Sequence, residues 1–123
     1  MAVVAYTKNV TPGAPREVVT WVLANTDTGQ PISLHDSSDK TVQIFGTFGS
    51  GGSVTMQGSN DPRVLTDPNN AVWFSLTDPQ ANAITKTAAA GEAILENPLY
   101  IRPNCTAGDG TTALTIILYA RRK

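Results

Sequence analysis

A glycine-rich stretch in the first half of the chain comes close to a nucleotide-binding motif. Gly46, Gly51 and Ser53 stand where a P-loop has its glycines and its serine or threonine, but glycine replaces the lysine that reaches the phosphates. The residues after Ser53 alternate between apolar and polar types, which is the period of a strand and not of a helix. We therefore predict no nucleotide site. The stretch is interpreted as a hairpin in which strands 41–48 and 53–57 pair across a glycine-rich loop.

The only histidine is the second candidate for chemistry. His35 precedes Asp36 and the serines 37–38, a set of residue types that could form a Ser-His-Asp triad. Sequence neighbours in a polar loop are rarely held in triad geometry, and the chain has no Gly-x-Ser-x-Gly elbow. Cys105 is the only cysteine, so it has no disulfide partner within the chain and fits a reducing compartment. We predict a protein that is not an enzyme, with no catalytic residue and no cofactor.

Metal binding is limited by the same shortage of ligands. A zinc site needs more cysteine and histidine than one residue of each. Calcium could use the carboxylates within residues 36–39 or 61–67, but neither cluster has the spacing of an EF-hand loop. Aspartate and asparagine beside proline and glycine usually form turns. We predict no metal site.

Composition limits the classes of partner. The 123 residues suit one domain, with 15% of residues charged and 41% hydrophobic, a balance that favours surface buried against a partner. The net charge is −1 and the nine basic residues are scattered apart from residues 121–123, which argues against nucleic acid. No apolar run has the length of a membrane span, and the N-terminus lacks a charged segment typical of signal peptides. We expect no membrane partner.

Local patterns predict an all-β protein. Seven to nine short strands, separated by turn signals, are typical of an antiparallel β-sandwich or jelly-roll-like domain, here residues 16–123. Residues 1–15, with two prolines around a glycine, predict an extended N-terminal arm. The strand at residues 16–24 is apolar on both faces, so we expect both to be covered. Residues 86–96 are ambiguous, because their alanines favour helix while a glycine interrupts it.

Alternation along the strands places large side chains on second faces. Phe45 points away from the face that carries Val42, Ile44 and Phe48. If Phe74 and Leu76 face the core, Trp73 points to the opposite face, and Tyr119 likewise points away from the face that carries Leu118. A contiguous set of such groups would form a partner-binding patch. The predicted interface consists of apolar and aromatic residues in the arm and on these second faces: Val3, Val4, Tyr6, Phe45, Trp73 and Tyr119.

Two phrases of the sequence resemble known proteins. Residues 54–61, VTMQGSND, followed by residues 73–78, WFSLTD, are similar to a phrase of discoidin-like and carbohydrate-binding sandwiches. Residues 97–103 and 108–116 are similar to small virion proteins of tailed bacteriophages. Together, residues 41–123 resemble phage head decoration, or cement, proteins with a jelly-roll-like fold.

The resemblance implies a structural role in the virion. Such proteins sit on the capsid exterior as dimers or trimers and clamp the major capsid protein, after synthesis in the cytoplasm of the bacterial host.

Two alternatives remain open at the level of sequence. A carbohydrate-binding sandwich would use Trp73 or Trp21 as a sugar platform, although Trp21 is expected to be buried. A phage tail or baseplate component could be built from the same kind of sandwich.

Overall fold

The protein is a sandwich of two β-sheets. A computed structural model describes residues 2–10, 16–34 and 37–121. Its strands are β1 (Val3–Val4), β2 (Thr7–Val10), β3 (Arg16–Ala24), β4 (Thr28–Gly29), β5 (Asp39–Thr47), β6 (Ser53–Ser59), β7 (Phe74–Ser75), β8 (Thr85–Lys86), β9 (Ala90–Ile94), β10 (Tyr100–Ala107) and β11 (Ala113–Arg121). The predicted antiparallel β-sandwich of jelly-roll type is confirmed.

Each sheet is built around one long pairing. Sheet 1 has the order β1-β4-β10-β6-β7, with β8 also on β6, and sheet 2 has the order β2-β3-β11-β5-β9. All pairs are antiparallel except β1 with β4. In sheet 2, β11 pairs along its whole length with both β3 and β5, so that Ile116 lies opposite Trp21 and Ile44. This register places the apolar residues of three strands in one layer.

The core lies between the sheets and follows the period of the strands. Leu114, Ile116 and Leu118 alternate with exposed or half-buried neighbours along β11, as predicted. Trp21 is fully buried, and its indole Nε1 donates to the carbonyl oxygen of Gln30 at 3.0 Å. Burial of each of these aliphatic side chains stabilises the fold by about 1.5–3 kcal/mol.

The predicted hairpin across the glycine-rich loop is wrong. β5 belongs to sheet 2 and β6 to sheet 1, so the loop carries the chain from one sheet to the other. Gly49 and Gly51 have φ of +71° and +70°, and a Cβ on Gly52 would lie 1.8 Å from the carbonyl oxygen of Phe48. The glycines therefore allow the tight turn that connects the two sheets. Strand period identifies a strand but not its partner, because pairing depends on distant residues.

Smaller differences have similar causes. The ambiguous residues 86–96 contain no helix: Lys86 ends β8 and Ala90–Ile94 form β9, because pairing with β5 outweighs the helix propensity of alanine. Between β6 and β7 the chain forms a short helix, α1 (Arg63–Thr66), and a 3₁₀ turn at Pro68–Asn70. Ile32 forms only an isolated bridge with Ile101. Within the described residues, no helix is long and apolar enough to cross a membrane.

The described part of the N-terminal segment is extended and paired with its own chain. β1 pairs with β4 in sheet 1 and β2 pairs with β3 in sheet 2. Tyr6, between them, packs edge-on against Trp21 with ring centroids 6.1 Å apart. Residues 11–15 of the predicted arm lie outside the described residues. A role for this segment on a neighbouring subunit stays a prediction.

Candidate functional site: the outer face of sheet 2

The side chains of sheet 2 that point away from the core form an uncharged surface. The register places them in rows across all five strands. This outer face consists of Thr7, Asn9, Val18, Thr20, Val22, Ala24, Thr41, Gln43, Phe45, Thr47, Gly91, Ala93, Ala113, Thr115, Ile117 and Tyr119. Among the described residues of this face, charged groups lie at one end, where Arg121 is opposite Arg16 and Asp39. Threonine, β-branched and aromatic residues fit the pleated surface of a sheet, which explains their presence here.

The centre of this face lies open within the chain. Val22 is 59% exposed and Phe45 is 39% exposed, and both flank Thr115 on the neighbouring strands. Cover on both faces of β3 was expected. The inner side of β3 is covered, since Trp21 is fully buried, but on the outer side the described chain places nothing over Val22. The apolar pattern of this outer side is therefore not explained by contacts inside the described chain.

A pocket of about 620 Å³ adjoins the outer face. It lies between the ends of β5, β9 and β11 and the segments around Pro79 and Asn97, and it shares Tyr119 with the outer face. Arg121 and Asp39 form an ion pair at its edge, with Nε and Oδ2 3.3 Å apart.

Lys40 is the unusual residue of this pocket. It alternates with Val42 and Ile44 on the inner side of β5 and is only 4% exposed. Its Nζ donates to the side-chain oxygen of Asn97. Burial lowers the pKa of Lys40, and the nearby carboxylates of Asp39 and Glu96 partly offset this effect. Lys40 was not predicted as a site residue, although its position in the inward-pointing apolar pattern of β5 was a usable signal.

The predicted interface residues occupy different surfaces. Phe45 and Tyr119 lie together on the outer face of sheet 2. Val3 is exposed on an edge strand of sheet 1, while Val4 and Tyr6 pack partly against the core. The structure thus brings together Phe45 and Tyr119 but separates them from the N-terminal residues. Contact of any of these residues with a partner stays a prediction.

Trp73 is separated from the other predicted interface residues and is engaged within the chain. The guanidinium carbon of Arg102 lies 3.9 Å from the centroid of its indole ring. A cation stacked at this distance makes a favourable contact with the ring face. Because Arg102 occupies that face and Trp21 is buried, neither tryptophan presents an open platform for a sugar ring on these sides.

The candidate residues for catalysis and calcium binding are engaged in local contacts or lie outside the described residues. His35 and Asp36 lie outside the described residues. Cys105 is buried, and its Sγ donates to the carbonyl oxygen of Asn25 at 2.7 Å. Burial raises the pKa of the Cys105 thiol, which keeps it in the weakly nucleophilic protonated form. The carboxylate of Asp61, a calcium candidate, accepts hydrogen bonds from Arg63, which holds the pKa of Asp61 well below its usual range.

Metal ligands are also dispersed. Among residues 2–10, 16–34 and 37–121, no three side chains of histidine, cysteine, aspartate or glutamate cluster in a way that could hold a metal ion. The acidic residues that are well placed act as local hydrogen-bond acceptors in turns, as Asp109 does for the backbone of Ser50 and Thr111. The outer face and its pocket are therefore the strongest candidates for function.

Comparisons with known proteins concern the fold. The sequence matches no protein-family model, and no curated protein is similar to it in sequence. The structure is similar to the SPBc2 prophage-derived protein YomS, with a TM-score of 0.57 and 10% identity, covering 91% of this chain and 98% of that one. A cupin domain from Bordetella pertussis aligns with a TM-score of 0.45 and 11% identity, covering 96% and 91% of the two chains. At 10% identity, the likeness to YomS extends to the fold alone.

Proposed function

We propose that this chain is a structural virion protein of a bacteriophage that decorates and stabilises the capsid by binding the major capsid protein through the outer face of sheet 2. The observation that carries this proposal is the absence of charge across that face, with Val22 and Phe45 exposed at its centre. Interfaces are depleted of charged residues at their centre and enriched in aromatic residues. The fold shared with a prophage-derived protein supports a phage origin.

The dimensions of the face suit a stable interface. Three strands of nine residues, β3, β5 and β11, are flanked by β2 with four residues and β9 with five. With a rise of ~3.3 Å per residue and about 4.8 Å between strands, the face is roughly 30 Å long at its centre and shorter at both edges. Its area is on the order of 600 Å², comparable with the roughly 800 Å² that each partner buries in a standard protein–protein interface. Burial of Val22 and Phe45 would supply the apolar contacts at its centre.

The proposal assigns a binding role and no catalysis. Cys105 is a buried thiol, and the described residues hold no cluster of metal ligands. We further propose that the chain is made in the cytoplasm of the bacterial host and assembles on the capsid exterior as a dimer or trimer. Light scattering of the purified chain would test this oligomeric state, and a monomer at micromolar concentration would contradict it.

Co-sedimentation with expanded capsids that lack this chain tests the shell-binding function. The wild-type chain should pellet with the capsids and saturate at a fixed stoichiometry. Thr115→Asp places a charge between Val22 and Phe45 and should weaken binding at least tenfold. Thr106→Asp is the matched control, because Thr106 is an exposed strand residue of sheet 1, and it should bind like wild type. A wild-type chain that does not pellet, or equal binding by both variants, would refute the proposal.

A further inference from the structure

Arg102 is a half-buried cation on the outer face of sheet 1. It alternates with the buried residues Ile101 and Pro103 along β10, so its side chain lies on the outer side of the sheet. The ion pairs among the described residues do not include Arg102, whereas Arg63 pairs with Asp61 at 2.8 Å. Burial lowers the pKa of Arg102, and no carboxylate of the described chain offsets this effect. A cation that loses hydration without gaining an anion is a candidate binding residue.

The guanidinium of Arg102 is held in place with one edge free. Its Nε donates to the side-chain oxygen of Gln57 at 2.8 Å, and its face stacks on the indole of Trp73. Among the described residues, the two Nη atoms have no hydrogen-bond acceptor. Because every fully buried side-chain nitrogen and oxygen of these residues has a partner, the Nη atoms are open to solvent. The chain therefore fixes the guanidinium and leaves its Nη edge available.

The surface around Arg102 contains neutral polar groups. The amide oxygen of Gln57 accepts the Nε–H of Arg102, so the amide NH₂ of Gln57 is a further donor beside it. No outward-pointing residue of β6 or β10 is acidic, and besides Arg102 they are Ser53, Thr55, Gln57, Ser59, Tyr100, Asn104 and Thr106. A ligand at this position would therefore meet one positive charge and no negative charge from these two strands.

We propose that the outer face of sheet 1 binds a partner protein through an aspartate or glutamate side chain that pairs with Arg102. The carboxylate would accept two parallel hydrogen bonds from the Nη edge, a geometry that suits the planar guanidinium. Stacking on Trp73 and the bond to Gln57 hold the guanidinium beforehand, so less side-chain freedom is lost on binding. A phosphate carries nearly two negative charges, whereas the outer sides of β6 and β10 offer a single cation.

The surroundings of Arg102 favour a protein as the source of the carboxylate. Arginine, tryptophan and tyrosine dominate the binding energy of protein interfaces, and Trp73 and Tyr100 accompany Arg102 here. The pocket of about 620 Å³ lies beside sheet 2, on the other side of the sandwich. The surface proposed for the shell also belongs to sheet 2, so the partner of Arg102 would bind independently of the shell. A sugar acid would bring the same carboxylate on a ring, and a separate probe distinguishes it.

NMR titration of the wild-type chain tests the site directly. The probe is the peptide acetyl-Gly-Glu-Gly-amide, and acetyl-Gly-Gln-Gly-amide at equal ionic strength is its neutral counterpart. The glutamyl peptide should shift the Nε–H resonance of Arg102 and the backbone amides of Gln57 and Trp73 saturably, and the glutaminyl peptide should not. Arg63 is an internal control, because Asp61 already occupies its guanidinium. Equal responses to the two peptides, or an equal shift at Arg63, would overturn the proposal.

Variants assign the effect to the guanidinium. Arg102→Lys keeps the charge and removes the two-pronged edge, so it should bind the glutamyl peptide about tenfold more weakly. Arg63→Lys is the matched control, because Arg63 is already paired within its own loop, and it should bind the peptide like wild type. Unchanged affinity in Arg102→Lys would overturn the proposal.

Sodium glucuronate tests the sugar acid as the source. It should bind more weakly than the glutamyl peptide, and tighter binding of glucuronate at Arg102 would overturn the assignment of a protein partner. The capsid co-sedimentation described above separates this inference from the proposed function. A chain that binds the glutamyl peptide but does not pellet with capsids refutes only the shell-binding function, and the opposite result refutes only this site.

Discussion

The two outer faces of the sandwich satisfy their polar side chains in different ways. On sheet 1, polar groups bond to each other across the strands. The hydroxyl of Thr28 donates to the side-chain oxygen of Asn104 at 2.9 Å, and the hydroxyls of Thr55 and Thr85 also lie 2.9 Å apart. Thr28 and Thr55 are both buried although they lie on the outer side of the sheet. The polar groups at the centre of this face are therefore paired within the chain.

Trp73, which directly precedes β7 of sheet 1, is also contacted by a side chain of this sheet. Arg102 stacks on Trp73 and also donates from Nε to the side-chain oxygen of Gln57 at 2.8 Å. Burial lowers the pKa of Arg102, although the guanidinium remains charged at any physiological pH. The stacked cation closes one face of the indole, so the outer face of sheet 1 offers little apolar surface there.

The outer face of sheet 2 lacks this internal network. Within the described residues, none of its threonine or tyrosine side chains makes a hydrogen bond to another side chain of the chain. Val22 and Phe45 are exposed on the same face. Threonine therefore acts on sheet 1 as a hydrogen-bonding partner and on sheet 2 as a β-branched surface residue. The difference indicates that the polar groups at the centre of the outer face of sheet 1 are satisfied within the chain, whereas the outer face of sheet 2 has apolar side chains exposed at its centre.

The largest expected effect tests whether the outer side of sheet 2 is open. Ile116→Ala removes a fully buried side chain and should lower the free energy of unfolding by about 3 kcal/mol. Ile117→Ala, one residue along the same strand, should cost less than ~1 kcal/mol, because Ile117 faces outward. Denaturant unfolding of the dilute chain measures both. An equally large loss in Ile117→Ala would mean that this face is already covered, and the contrast between the faces would fail.

A second pair tests the closure of sheet 1. Arg102→Ala removes the stacked cation and the hydrogen bond to Gln57, and it should lower the free energy of unfolding by about 1–2 kcal/mol. Arg16→Ala, at an exposed position in sheet 2, should change it by less than about 0.5 kcal/mol. Urea titration with tryptophan fluorescence measures the two changes. Similar values for both variants would show that the Arg102–Trp73 contact adds no stability.

Threonine-to-valine exchanges compare the two faces with one chemical change. Thr55→Val leaves the Thr85 hydroxyl without its partner and should cost about 1 kcal/mol. Thr115→Val should lie within about 0.5 kcal/mol of wild type, since valine suits a strand equally well. Thermal unfolding at fixed pH provides the comparison. If Thr115→Val is the more destabilising variant, the outer face of sheet 2 contains a polar contact that lies outside the described residues.

Local sequence patterns were sufficient to predict the all-β fold class and to predict which residues of β5 and β11 face the core. The alternation that buries Ile116 and exposes Phe45 is a property of neighbouring residues, so it was predictable. The pairing of β5 with β11 instead of β6 was not, because it joins segments distant in the sequence. The glycine-rich corner resembles a hairpin loop in composition and differs only in which sheets it connects.

The candidate site was predicted in part. Phe45 and Tyr119 were placed on second faces from alternation, and the structure puts them on the same face. The pocket was missed because lysine is usually exposed, and only the surrounding apolar pattern of β5 suggests that Lys40 points inward. The engagement of Trp73 by Arg102 was also missed, because it depends on two strands that approach only in the folded chain.

The smallest expected effect concerns the corner at which the sheets meet, which belongs to neither outer face. Asp109 accepts hydrogen bonds from the hydroxyl and N–H of Thr111 and from the N–H of Ser50, and these lower the pKa of Asp109 to about 2. An unfolded aspartate has a pKa of about 3.9. The stabilising contribution is therefore complete above pH ~4 and is lost as the pH falls towards ~2.

Asp109→Asn should flatten the fall of melting temperature over this window, and Thr111→Ala should flatten it in part. Asp61, whose pKa Arg63 also lowers, should maintain the remaining slope. If Asp109→Asn leaves the slope of melting temperature against pH unchanged, the corner does not link acid pH to stability. If the difference in melting temperature between Ile116→Ala and Ile117→Ala changes at low pH, the corner affects the two sides of sheet 2 unequally.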